Sequence, residues 1–178
     1  MQLRADPTLR IRRLTRDALA LALALVLSYL ETLLPLGIFL PGLKLGLANL
    51  AIMYVFFAVG RADAAIISFL RVVLTSLLFG TVSSFLFSLA GAVLAFLTLL
   101  LLSLVSERMI GRLGISVASA AAHVIGQMLA ACLLYGTGGL LSLLPWLLVG
   151  SVPLGLLNGM LLILLEAKLP RLRREVDA

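Results

Sequence analysis

Arg71, Glu31 and His123 stand inside apolar runs of this chain, where a charged or titratable group is out of place. An ionisable side chain at bilayer depth costs at least ~2.5–3.5 kcal/mol at a helix centre, so each needs a partner or a task. Arg71 stays charged and offers a planar fork of donors that matches a carboxylate or phosphate. Two readings are open and compatible: Glu31 and Arg71 neutralise each other inside a bundle, or Arg71 takes the anionic group of an entering solute.

Amides and small residues accompany these groups. His123 and Gln127 are four apart and so share a helix face, among Ala120, Ala121 and Ala131. They serve either packing or substrate contact. No second histidine, cysteine or carboxylate at ligand spacing accompanies His123, so no metal site is expected. Asn158 lies in PWLLVGSVPLGLLNGM, where Pro145 and Pro153 loosen the helix and Gly155 and Gly159 form a GxxxG close-packing face. The amide suits a cavity wall or helix-to-helix glue. Ser84, Ser88, Gly91 and Ala95 make a small-residue stripe, read as tight packing.

The stretch LPGLKLGLANLAIMYVFF, residues 40–57, crowds Gly42, Lys44, Gly46 and Asn49 into the entrance of an apolar run. Lys44 either snorkels to headgroups or reaches a solute. Asn49 either ties a neighbouring backbone or offers an amide to that solute. Ala18, Ala20, Ala22 and Ala24 supply two overlapping AxxxA spacings, suited to packing within the bundle or to docking of a separate membrane subunit.

The elements that position these residues follow from composition. The chain has 178 residues, 62% hydrophobic and 12% charged. Soluble domains average roughly 45–50% apolar and ~25% charged, so this is an integral membrane protein. Six segments approach the ~20 apolar residues of a helical span: 18–36, 45–60, 62–79, 82–105, 115–136 and 143–166. The predicted fold is an all-α polytopic bundle of six transmembrane helices. Segments two and three are short and share only the turn at Gly60, Arg61 and Asp63, which predicts a tight hairpin with one member bent or not fully crossing. Counted from the outer ends of their spans, Glu31 sits about 7 Å deep and Arg71 about 12 Å.

Twelve of the 14 basic residues fall before span one, between spans two and three, between four and five, or after span six. That asymmetry predicts cytoplasmic termini: a basic segment 1–17, a membrane domain 18–166 and a basic tail 167–178. Lys44 and Arg71 are the two bases this rule leaves over. The bases sit between hydrophobic runs rather than in a patch with interleaved aromatics, so nucleic acid is not an expected partner, whereas membrane lipid is. The hydrophobic run after the N-terminal bases has no small-residue cleavage site before Glu31 and reads as a retained span. Cys132 is the only cysteine, which excludes an internal disulfide.

Spans with both ends inside, the AxxxA alanines, and the Pro41, Gly42, Lys44, Gly46, Ala48, Asn49 entrance resemble the substrate-binding S components of energy-coupling factor (ECF) transporters. Within that group the chain resembles the Gx transporter family, many members of which carry the label heptaprenyl diphosphate synthase component I. The resemblance covers roughly residues 15–168. It implies a bacterial inner-membrane subunit whose outward-facing pocket lies under the loop after span one. Lys44, Asn49, Arg71, Glu31, His123, Gln127 and Asn158 are the candidate solute contacts, for an anionic or zwitterionic compound. Gly42 and Gly46 are the implied lid hinge, and Ala18, Ala20, Ala22 and Ala24 the implied face for a transmembrane coupling subunit driven by two ATPases.

The synthase label conflicts with the residues. Prenyl diphosphate synthases need aspartate-rich motifs to hold magnesium against diphosphate. Asp6, Asp17, Asp63 and Asp177 are the only aspartates and stand apart. With no phosphate loop or catalytic set either, the expectation is a non-enzyme without cofactor; the alternative role is a scaffold for a polyprenyl diphosphate synthase.

Overall fold

The computed structural model describes residues 7–33, 46–105 and 107–168. The described residues are helical apart from short turns. Helix α1 runs Pro7–Leu33, α2 Leu47–Ala58, α3 Arg61–Phe79, α4 Val82–Val105, α5 Glu107–Tyr135 and α6 Leu144–Lys168, with a 3₁₀ turn at Gly138–Leu143 before the last. Among the described residues, four stretches are long and apolar enough to cross a membrane: Arg61–Phe79, Val82–Leu104, Ile110–Tyr135 and Gly138–Lys168. The protein is an all-α membrane bundle.

The short second segment, expected to be one of a pair of which one is bent or does not fully cross, is a half-helix. Its 12 residues rise only about 18 Å, well short of a ~30 Å hydrocarbon core. It is apolar on all sides because it is buried on all sides: Ala48, Leu50, Ile52, Met53, Val55 and Phe56 are all in the core. It packs against α1, α3 and α6, and Phe56 meets the ring of Phe96 on α4 edge-on. The chain leaves it through a tight corner in which Val59 and Gly60 both donate to the Val55 carbonyl.

Around this half-helix the long helices pack in the order α1, α3, α4, α5, α6. Glycines set the closest approaches. A Cβ at Gly126 would stand 2.5 Å from the Ala90 carbonyl oxygen on α4, and one at Gly155 would stand 2.6 Å from the Val117 Cα on α5. At each seam a serine crosses between helices: Ser119 donates to the Ala95 carbonyl and Ser116 to that of Gly155, at 3.1 and 2.7 Å. The GxxxG of α6 is therefore a helix-to-helix face, as its spacing predicts.

Two helix starts differ from expectation. The described part of α1 starts at Pro7, so residues 7–17 of the basic N-terminal segment continue the first span as helix. Asp63 on α3 holds the extension by accepting from both Arg13 and Arg16. α5 begins at Glu107, but Gly111 breaks its helical path with φ 64°, so the span proper starts beyond that glycine.

Among the described residues, Arg13, Arg16, Arg61 and Arg112 cluster at the end of the bundle where α2 turns into α3. Arg112 reaches Glu166 at 3.2 Å and lies over the Phe57 ring, 3.7 Å from its centroid, which ties α2, α5 and α6 together there. The opposite end holds the start of α2 and most of the polar residues described next.

Candidate functional site

α2 starts inside the bundle, and its start is held from both sides. Gly46, immediately before it, adopts φ +70°, a left-handed conformation that favours glycine. The Gly46 carbonyl accepts from Asn158 Nδ2 on α6 at 3.0 Å. On the other side of the same peptide unit, the Leu47 N–H donates to Glu31 Oε1 on α1. The first N–H groups of a helix lack partners in their own helix and carry the positive end of its dipole, so a carboxylate is the natural cap.

This explains where Glu31 went. Among the described residues no ion pair within 4.0 Å joins it to Arg71; its carboxylate reaches the helix start instead. The two charges still interact through space and line the same cavity.

That cavity has a volume of about 110 Å³. Its wall includes Glu31, Gly46, Asn49, Arg71, Thr75, Ser84, Ser88 and His123. Arg71 is 8% exposed, and its Nε has no hydrogen-bond partner. One turn further along α3, the Thr75 hydroxyl oxygen is likewise buried without a partner. A buried donor left unbonded costs ~1–3 kcal/mol, more beside a charge, so this wall is built to be completed by something polar.

His123 reaches the cavity because α4 presents a glycine opposite it. A Cβ on Gly91 would stand 2.8 Å from the His123 ring and 2.9 Å from Gln127 Cγ. Gln127 thus packs on α4 rather than lining the cavity. Asn158 lines a smaller neighbouring cavity of about 20 Å³, which shares Gly46, Asn49 and His123 with the larger one.

Five of the seven expected solute contacts are therefore placed around one polar region: Glu31, Asn49, Arg71 and His123 on the larger cavity, Asn158 on the smaller. Gln127 lies aside, and Lys44 lies outside the described residues, as do Pro41 and Gly42. The alanines separate into two faces. Ala24 is fully buried and Ala20 packs on the apolar core, whereas Ala18 and Ala22 are exposed. Sequence reasoning missed Ser28, Thr75 and Ser76 and assigned Ser84 and Ser88 to packing; all five line the cavity. The i, i+4 spacing of Thr75 from Arg71 was the available signal. Among the described residues no three histidine, cysteine or acidic side chains group to hold a metal.

Fold and site together define a helical membrane protein with a charge-bearing polar cavity toward one end of its bundle. The chain belongs to the heptaprenyl diphosphate synthase component I family, whose model matches residues 20–165. No curated protein and no solved structure matches the sequence.

Proposed function

We propose that this chain is the substrate-binding subunit of an ECF-type small-solute uptake transporter, non-catalytic in itself, in a bacterial inner membrane with cytoplasmic termini. The observation that carries the reading is Arg71: a guanidinium with an unpartnered buried Nε, on the wall of a cavity lined by hydroxyls. A structural arginine in a membrane bundle finds a carboxylate or a carbonyl for its donors; one that waits in a polar cavity suits an anionic or zwitterionic solute. The cavity lies away from the basic end, so under the positive-inside rule it faces outward. Energy then comes from partner ATPases through a coupling subunit, with the exposed Ala18 and Ala22 as the part of the alanine pattern left to meet it.

A second reading has one observation in its favour, the family's description as a synthase component. In it the chain is a membrane scaffold for a prenyl diphosphate synthase, held through its basic end. Affinity purification from native membranes separates the two. Recovery of ATPases with a transmembrane coupling protein supports transport; recovery of a soluble prenyltransferase without them overturns it.

A further inference from the structure

Arg71 and Thr75 lie one turn apart on α3, and each brings a buried polar atom without a partner, Nε and Oγ1, to the wall of the larger cavity. The guanidinium N–H needs an acceptor, and the hydroxyl can donate to the same group. Among the described residues Arg71 is the only lysine or arginine that lines this cavity, and the Glu31 carboxylate already acts on it through space. A monoanion therefore suits the wall, whereas a dianion leaves buried charge over. The planar fork of a guanidinium matches the two oxygens of a carboxylate.

Size narrows the ligand further. An engineered apolar cavity of ~150 Å³ holds one benzene ring, so by the same measure about 110 Å³ has room for about four heavy atoms. That is the size of acetate; a phosphate ion, a glycine or anything longer exceeds it. We propose that the cavity binds a short-chain monocarboxylate of the size of acetate, with its carboxylate between the Arg71 Nε and the Thr75 hydroxyl. Val72 and Phe79 supply apolar lining for its methyl end. This rests on the reading of the chain as a solute-binding subunit and narrows the solute of that same site.

The test is equilibrium dialysis of the full-length protein in lipid nanodiscs with acetate, acetamide, inorganic phosphate and benzoate. Acetate is expected to bind at least about tenfold more tightly than acetamide, which has its shape without its charge, and than phosphate or benzoate. Thr75→Val keeps the side-chain shape and removes the hydroxyl. Acetate affinity is expected to fall about tenfold in it, with the unfolding midpoint unchanged. Arg71→Gln is expected to abolish acetate binding, and thermal unfolding checks that its fold survives. Equal binding of acetate and acetamide overturns the inference, as does undiminished acetate binding by the folded variants. Tighter binding of phosphate or benzoate than of acetate also overturns it, and leaves the transport reading intact where Arg71→Gln removes that binding. Failure of every probe to bind overturns it too; the transport reading is then decided by which partners co-purify.

Discussion

Asn158 on α6 donates through its amide to the carbonyl of Gly46, 3.0 Å away, and so fixes where the half-helix α2 begins. Glu31 grips the other side of that peptide unit. Helices α1, α2 and α6 thus meet at one peptide bond beside the cavity. Asn158→Leu removes the donor, and the expected loss is about 1–2 kcal/mol in thermal or denaturant unfolding in detergent. Asn158→Asp is expected to cost more, because a carboxylate there faces the Gly46 carbonyl without a proton to offer.

Gly46→Ala places a side chain in a left-handed backbone conformation, with its Cβ 3.3 Å from Asn158 Nδ2. The expected loss is about 1–2 kcal/mol from the backbone alone, read as a lower unfolding midpoint. Gly138→Ala is the control. Nothing lies within 4 Å of a Cβ there, and the expected change is within about 0.5 kcal/mol.

Gly91→Ala probes the cavity through one lining residue, His123. Its methyl would stand 2.8 Å from the His123 ring and 2.9 Å from Gln127 Cγ, so these side chains must give way. Solute affinity is expected to fall on the order of tenfold, measured by the same dialysis. Unchanged affinity would show that His123 has no part in binding.

At the basic end, Asp63 is 8% exposed and holds both Arg13 and Arg16. Asp63→Asn leaves Arg16, whose side chain is 14% exposed, without its charge partner on α3. The expected cost is about 2 kcal/mol, below the 3–5 kcal/mol of a fully buried pair because the Arg13 side chain is 56% exposed. The hydrogen bond and charge of Asp63 raise the Arg13 pKa above its ordinary value. A raised pKa gives stability that is lost only as pH rises through it, so alkaline titration to pH 10 is expected to leave this contact in place.

The legible part of the site was the expensive part. Arg71, Glu31, His123, Asn49 and Asn158 stand out in an apolar sequence because burying them is costly, and the structure brings them to one region. Thr75 and Ser76 did not stand out, because a hydroxyl in a membrane helix commonly bonds its own backbone and carries no visible cost. That the second or third segment falls short of a full span was legible, but which of them does so was harder to read. An apolar run at 45–60 reads the same whether lipid or protein surrounds it, and only the packing of α1, α3 and α6 around Leu47–Ala58 decides. Glu31 shows the same limit: its charge was evident, but that a helix start would reach it before Arg71 depended on where α2 begins.

The central claim is that a water-reachable polar cavity beside Arg71 opens on the side away from the basic end. Thr75→Cys, in a background with Cys132 replaced by alanine, puts a near-isosteric thiol on the cavity wall. A membrane-impermeant methanethiosulfonate reagent applied to intact cells is predicted to modify that thiol, and a bound solute to slow the reaction. No modification from outside, together with modification in inverted vesicles, would contradict the account.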